Sequence, residues 1–549
     1  MWLLKCSQIG PMACEDAFIY VQSQFLMLSH RFRWVFCQLE TLRHCLPPSL
    51  RRILAELPET LDATYERILQ EIPKSNQVHA HRLLQCLTVA VRPLRVKELA
   101  EVLAIDFDTS EEIPKLDVAL RWENQEQAVL SACSSLIAVT GIGDQDSHVV
   151  QFSHFSVKEF LTSDRLAISK MDASRYHHIP LELAHTTMAQ ACLSVLLRFD
   201  SHIDEATIKD FPLAEYAAEH FGDHAEFRGV LSHIRDGVDP LLDADRSHFA
   251  AWVWMSPPSQ IRTQNRKWLD IIPLYYVAAR GYRGLVDYLI SMSPDDANVR
   301  GKYGTPLHAA LDEVHAEIAQ LLLGYCVDVD VRDHYDQTPL HLAAYHGLLG
   351  VTRTLVERNA VINVRDSSGN TPLYRSMEYW FLMPGSTQDG RVGVAKFLLE
   401  HGADPDAKNA GHLTPLHQAS YYGSVKGVQL ILEHGANIHA RNEAGQTPLH
   451  RIFIGPFEHL HTLDMILDTV RCLLEHGADA DALDDDHATP LHLASQHGCV
   501  KGARLLLDHG ADVHLEDKQG RTPLQVASEK GETEITQLLL EHLQSQQGM

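Results

Sequence analysis

The sequence predicts a mainly α protein in two parts: a helical N-terminal region with one small β-hairpin, then an α-solenoid of about eight stacked units. Three observations carry this reading. The tripeptide TPL recurs, beginning at Thr305, Thr338, Thr371, Thr414, Thr447, Thr489 and Thr522, at intervals of 33, 33, 43, 33, 42 and 33 residues. The apolar residues that follow each copy keep helical spacing. The residues before the series have a different rhythm, which closes on two short β-branched runs. A further unit at Ile272 lies 33 residues before Thr305 and lacks only the threonine.

Within a unit, proline falls at the first helical position, where its missing N–H is no loss, and the preceding threonine can accept a bond from an orphan amide. The first helix then runs to a glycine such as Gly347, and a second helix carries the LL pair of "KFLLEHGAD" and stops at another glycine. The polar stretch before the next TPL suits a projecting turn. Such a unit cannot bury its apolar face alone, so neighbours must stack. The two long intervals hold about ten extra residues each, at 379–391 and 452–464, which read as loops between the two helices of a unit. The ending "LLLEHLQSQQGM" replaces the usual glycine and turn with polar residues, as a terminal cap should.

Residues 55–163 read as helices in "ELPETLDATYERILQEI", "HAHRLLQCLTVAV", "RVKELAEVLAI" and "QEQAVLSACSSL", followed by strands "LIAV" and "HVVQF" around "TGIGDQDS". Short helices closed by a hairpin suggest a winged helix. A winged-helix DNA binder would need a basic recognition helix and would bind duplex in a salt-dependent way, but "WENQEQAVLSACSSL" contains no lysine or arginine. In "SHFSVKEFL", Ser156 with Glu159 fits a capping box and Phe155 with Phe160 a hydrophobic staple, so the neighbouring serine, histidine and glutamate read as a helix start, with no GxSxG elbow.

With TPLH, GAD and the period in hand, roughly residues 266–545 resemble the ankyrin-repeat family. The resemblance implies a non-catalytic array that binds other proteins through its turn tips and inner-helix face. The runs "FRWVFCQLETLRHCLPPSLRRILAELPETLDATYERIL", "RPLRVKELAEVLA" and "VVQFSHFSVKEFLTS", within about residues 30–165, resemble the region after the NTPase domain of fungal NACHT proteins of the STAND class. There an NTPase precedes these elements and C-terminal repeats sense a ligand. The only GK pair here, Gly301-Lys302, is followed by tyrosine, so the chain offers no GxxxxGK[ST] phosphate cradle. It reads either as the C-terminal portion of a NACHT-type signalling NTPase or as a shortened form keeping arm and sensor. The expected organisation is a remnant helical segment at 1–50, a winged-helix-like domain at 51–165, a helical linker region at 166–265 and the repeat array at 266–549.

The 549 residues carry a net charge of −25, which opposes non-specific attraction to nucleic acid or anionic lipid and points to protein partners. Neither nucleic acid nor membrane is an expected partner. Ten scattered cysteines without a CxxC pair read as reduced, and no window approaches a membrane span or a secretory leader, which gives a cytoplasmic setting. Cys37, His44 and Cys45 come nearest to a ligand group but lack zinc spacing. Many of the 34 histidines recur at fixed repeat positions, in TPLH or before a glycine, and read as register; no metal, cofactor or catalytic residue is expected.

Candidate partner-binding residues are the pairs before the glycine of the first helix, which should face the groove: Tyr345 and His346, Tyr421 and Tyr422, Gln496 and His497. Tyr303 and Tyr335 could extend that surface from the turns. Arg332 and Arg365 belong to a basic register, with Arg300, Lys408 and Arg441, that could meet an acidic partner or simply recur with the repeat.

Overall fold

The computed structural model describes residues 61–108, 113–133, 136–141, 148–168, 176–199, 203–243, 247–258, 271–378, 388–455 and 463–547. The Cys37, His44 and Cys45 group, the segment 1–50 and most of both long insertions lie outside them. The chain forms two compact units, Met1–Leu269 and Asp270–Met549.

In the first unit, helices α1 (Leu61–Glu71), α2 (Gln77–Val89), α3 (Val96–Val102) and α4 (Gln125–Cys133) precede the hairpin of β4 (Ile137–Thr140) and β5 (Val149–Phe152). A short strand β1 (Leu94–Arg95) adds to β5, giving the antiparallel order β1-β5-β4 with Leu94 opposite Val150. Sequence patterning misses β1 because two residues show no alternation. A second small ladder pairs β2 (Ile105–Asp106) with β3 (Lys115–Leu116). The start of α3 is set by Glu98, a fully buried carboxylate that accepts from the Arg95 amide at 2.7 Å and pairs with both terminal nitrogens of Arg92. Helix α5 (Phe155–Leu161) starts differently from the capping box expected at Ser156. Its N-cap is His154, whose Nδ1 accepts from the Ser156 amide at 3.2 Å, because the extended His154 backbone starts the helix two residues earlier. Ser156 then lies inside the first turn, bonded to Tyr65 at 2.9 Å. The staple is absent too: Phe155 is exposed and rests on the His154 ring, while Phe160 packs against Tyr65.

Helices α6 (Asp164–Ala167), α7 (Leu181–Leu196), α8 (Glu205–Lys209), α9 (Ala214–Ala225), α10 (Val230–Leu241) and α11 (Ser247–Met255) complete this unit. They dock onto the winged helix through buried polar bonds as well as apolar surface. Thr187 donates to Gln85 at 3.1 Å, Glu101 accepts from the Leu213 amide at 2.7 Å, and the Tyr216 hydroxyl accepts from the Val91 amide at 3.1 Å.

The second unit contains eight helix pairs, from Pro273–Ala279 with Arg283–Met292 to Pro523–Lys530 with Thr533–Gln547. In every pair proline occupies the first turn, as the sequence predicts. The glycines end helices where expected: Gly347 caps its helix with φ +71°, a backbone that a side chain rarely tolerates. First helices pack on first helices and second on second, so each unit buries its apolar face against the next.

The histidine of TPLH holds this stack together. In the second, third, fifth, sixth and seventh repeats its Nδ1 accepts from the backbone amide of the preceding threonine at 3.1–3.2 Å. Its Nε2 donates 3.0–3.1 Å to a carbonyl at the foot of the following repeat: Gln337, Asn370, Gln446, Ala488 and Arg521. The threonine hydroxyl bonds to an amide are longer, 3.3–3.5 Å where formed, so the reverse arm of the cap is the tighter one. An accepting Nδ1 and a donating Nε2 fix the neutral tautomer. Burial accordingly pushes all five rings below the usual histidine range, His341 and His417 down to about 4. In the fourth repeat Tyr374 replaces histidine and donates to Gln418 at 2.8 Å, and in the eighth Gln525 accepts from the Thr522 amide at 2.8 Å.

Because the folded rings stay neutral, an unfolded chain takes up protons below pH 6.5 that the fold refuses down to about pH 4. Stability of the second unit therefore falls as pH drops through this window, by roughly 3 kcal/mol for each of His341 and His417 at its foot. Urea midpoints measured between pH 7 and pH 4.5 should show this slope, and His341→Gln with His417→Gln should flatten it.

Candidate functional site

A groove of 320 Å³ opens over the third repeat, where the turns on either side meet the ends of the first helices. Tyr335 and Gln337 line it from the turn before that repeat, Tyr345 and His346 from its first helix, and Arg375 and Glu378 from the fourth. Three of the residues singled out in the sequence, Tyr335, Tyr345 and His346, thus come together.

The walls are built by the repeat register. Each turn is closed by an Asx side chain: Asp366 Oδ1 accepts from the amides of Ser368 and Asn370 at 2.9 and 2.8 Å. Its Oδ2 accepts from the Asn370 side chain at 3.1 Å and lies 3.3 Å from Arg375 Nε. Arg375 Nη1 donates to Glu378 at 2.5 Å, and its guanidinium lies 5.7 Å from the Tyr345 ring centre. Arg391, from the second helix of the fourth repeat, lies 5.4 Å from the same centre and donates to the Glu378 carbonyl. Tyr345 is therefore gripped by two cations of the next repeat. Burial, ahead of the Arg391 charge, lowers the His346 ring to about 4, and burial raises the Glu378 carboxyl against the pull of Arg375.

The other candidates are placed differently. Tyr421 and Tyr422 form a second aromatic station, with Arg451 4.5 Å from the Tyr421 ring centre. Gln496 and His497 are exposed on the seventh repeat. Tyr303 is buried edge-on against His334 and adds little surface, whereas Tyr335 stays half exposed. Arg332 and Arg365 are exposed, but each donates to a carbonyl of the following turn: Arg332 to Arg365 at 3.1 Å and Arg365 to Lys408. Arg300 and Lys408 do the same, to Asp333 at 3.3 Å and Arg441 at 3.5 Å. The basic register thus stitches neighbouring turns.

Reading the sequence alone overlooks Arg375, Glu378, Arg391 and Arg451, although a signal for part of the set is there. Tyr345 with Arg375, and Tyr421 with Arg451, recur 76 residues apart, and both arginines sit in the two repeats that carry insertions. The same two repeats end their first helices on large side chains, Met377 and Phe453, where Ala344, Ser420, Ser495 and Ser528 stand in others and Leu311 in the second. Opposite each, the next repeat supplies Gly427 or Gly502 where Ile318, Val351 and Ile535 occupy the register. A methyl on Gly502 would lie 2.6 Å from Phe453, and one on Gly427 would lie 3.0 Å from Met377. Large and small residues are exchanged across the repeat boundary so that the volume is conserved.

The ankyrin-repeat family model ("Ankyrin repeats (3 copies)") matches overlapping windows that together span residues 274–548, half of the sequence. The chain belongs to the ankyrin-repeat family. Its N-terminal unit matches the family described as "GPI inositol-deacylase, winged helix domain" over residues 65–171. The protein is also similar to the azaphilone pigments biosynthesis cluster protein L of Monascus ruber, 29% identical over 296 residues, which are 50% of this chain and 61% of that protein. The ankyrin protein thus spans less than two thirds of that relative's length. Ankyrin repeats are protein-binding modules. Among the described residues, no group of three or more histidine, cysteine or acidic side chains is placed to hold a metal, and no helix is long and apolar enough to cross a membrane.

The volume exchange makes a signed prediction. Gly502→Ala should lower the unfolding free energy, read from urea titration, by about 1–3 kcal/mol despite alanine's better helix propensity, because Phe453 is fully buried. Gly393→Ala, whose methyl meets only Leu349 at 3.5 Å, should raise it by about 0.5–1 kcal/mol.

Proposed function

We propose that this ankyrin protein is a non-catalytic interaction scaffold or sensor that captures a protein partner in the groove of its repeats, related to fungal NACHT-type signalling proteins and acting in the cytoplasm. The observation that carries this reading is the groove over the third repeat, where Tyr335 and Tyr345 stand at the mouth of a 320 Å³ depression lined by charged side chains. Aromatic rings beside fixed charges suit an interface anchor. The winged-helix unit would transmit or scaffold the event, and the match of that unit supports the relation to NACHT-type architecture. On a second reading, supported by the same match, the chain is the C-terminal portion of a signalling NTPase. The 5′ end of the native transcript separates the two, since an in-frame exon bearing GxxxxGK[ST] would point assays to ATP or GTP.

The double variant Tyr345→Ala with Tyr421→Ala should reduce capture of protein partners from a native extract at least tenfold, with helical content retained by circular dichroism. Full capture by the folded variant would remove the groove from the mechanism.

A further inference from the structure

We propose that the groove over the third repeat is a seat for one basic side chain, a lysine or arginine presented by the protein partner. This rests on the protein-binding reading above and specifies what the groove selects. Asp312, Asp366 and Glu378 face a single lining cation, Arg375, with Arg391 behind them, and the whole chain carries −25. Asp366 is saturated by its turn amides, Asn370 and Arg375. Glu378 is not. Its side chain is about nine-tenths covered, its Oε2 accepts from Arg375, and no donor among the described residues reaches Oε1. That oxygen is open to the groove, where an incoming ammonium or guanidinium gives it a charge-assisted partner. The half-exposed Tyr335 ring offers a face for the aliphatic stem that such a side chain brings.

The second aromatic station is an internal control. Seventy-six residues on, Tyr421 and Arg451 repeat Tyr345 and Arg375, but Gly411, Asn442 and Ile454 replace Tyr335, Asp366 and Glu378. The tyrosine–arginine stack therefore forms without the acid, and Glu378 is an addition specific to the third-repeat groove. A divalent cation is poorly served there, because no three histidine, cysteine or acidic side chains among the described residues are placed to ligate one.

The test selects phage-displayed random dodecapeptides on the full chain, then measures retained peptides by fluorescence anisotropy. The expected result is a shared lysine or arginine position. Changing it to alanine, or making Glu378→Gln in the protein, weakens binding at least tenfold, and the two changes together cost no more than either alone. Gln537→Ala, exposed on the second helix of the eighth repeat, leaves affinity unchanged. Should Glu378→Gln fail to fold, Tyr335→Ala at the exposed rim is expected to weaken the same peptides at least threefold. Retained peptides without a shared basic position, or with one indifferent to both variants, overturn the seat while leaving protein binding by the repeats standing. Retention of no peptide overturns the seat as well, and the extract capture above then decides the broader reading alone.

Discussion

The link that runs from a threonine amide through a buried histidine to a carbonyl of the next repeat is the constraint on which the second unit depends. Each first helix begins with amides that no turn of the helix can satisfy, and each turn ends with a carbonyl left over. One imidazole serves both, so the cap that starts a helix also fixes its distance to its neighbour. Replacing the ring has to preserve the acceptor first, which is what Gln525 does at the eighth repeat. Tyr374 solves the other half, reaching across to Gln418 while the Thr371 hydroxyl accepts from its amide.

Where spacing is fixed this firmly, changes in side-chain volume must be balanced locally. Met377 and Phe453 would drive the following helices outward if those helices carried the isoleucine or valine used elsewhere. Gly427 and Gly502 absorb the volume, and Ser424 and Cys499 cap the tight approach beside them. The insertions fall in these same repeats, so length and packing change together every second unit. This gives the array a 76-residue period laid over its shorter one, and with it two stations that share a frame and differ in charge.

Much of the fold was legible because a repeat multiplies its own signal. Proline at the first turn, glycine at the stops and the LL pair each appear many times, so no single position has to carry the argument. The N-terminal unit offered one copy of everything, and there local rules went astray. Ser156 and Glu159 have the spacing of a capping box, yet His154 takes the cap, because its backbone is extended and its ring nitrogen accepts from the Ser156 amide. The site was legible in part. Tyr345 and His346 follow from their place before a glycine, whereas Glu378 lies past the end of a short helix and acquires meaning only once Arg375 folds beside it. Tyr303 shows the opposite failure, since a turn position does not guarantee exposure when His334 closes over it.

The basic register shows why position on the surface is a poor guide to recognition by itself. Arg332, Arg365, Lys408 and Arg441 lie along the turn tips and look available from the sequence. Their donors are directed to the carbonyls of the next turn. An acidic partner would have to compete with bonds that hold neighbouring repeats in register, and exposed ion pairs contribute too little to do so. Groups that the frame leaves less fully engaged gather where the first helices end against the turns, and on the proposed reading recognition would fall to them. There Glu378 Oε1 has no donor among the described residues, Arg375 Nε has no hydrogen bond, and the Tyr335 ring stands half in water.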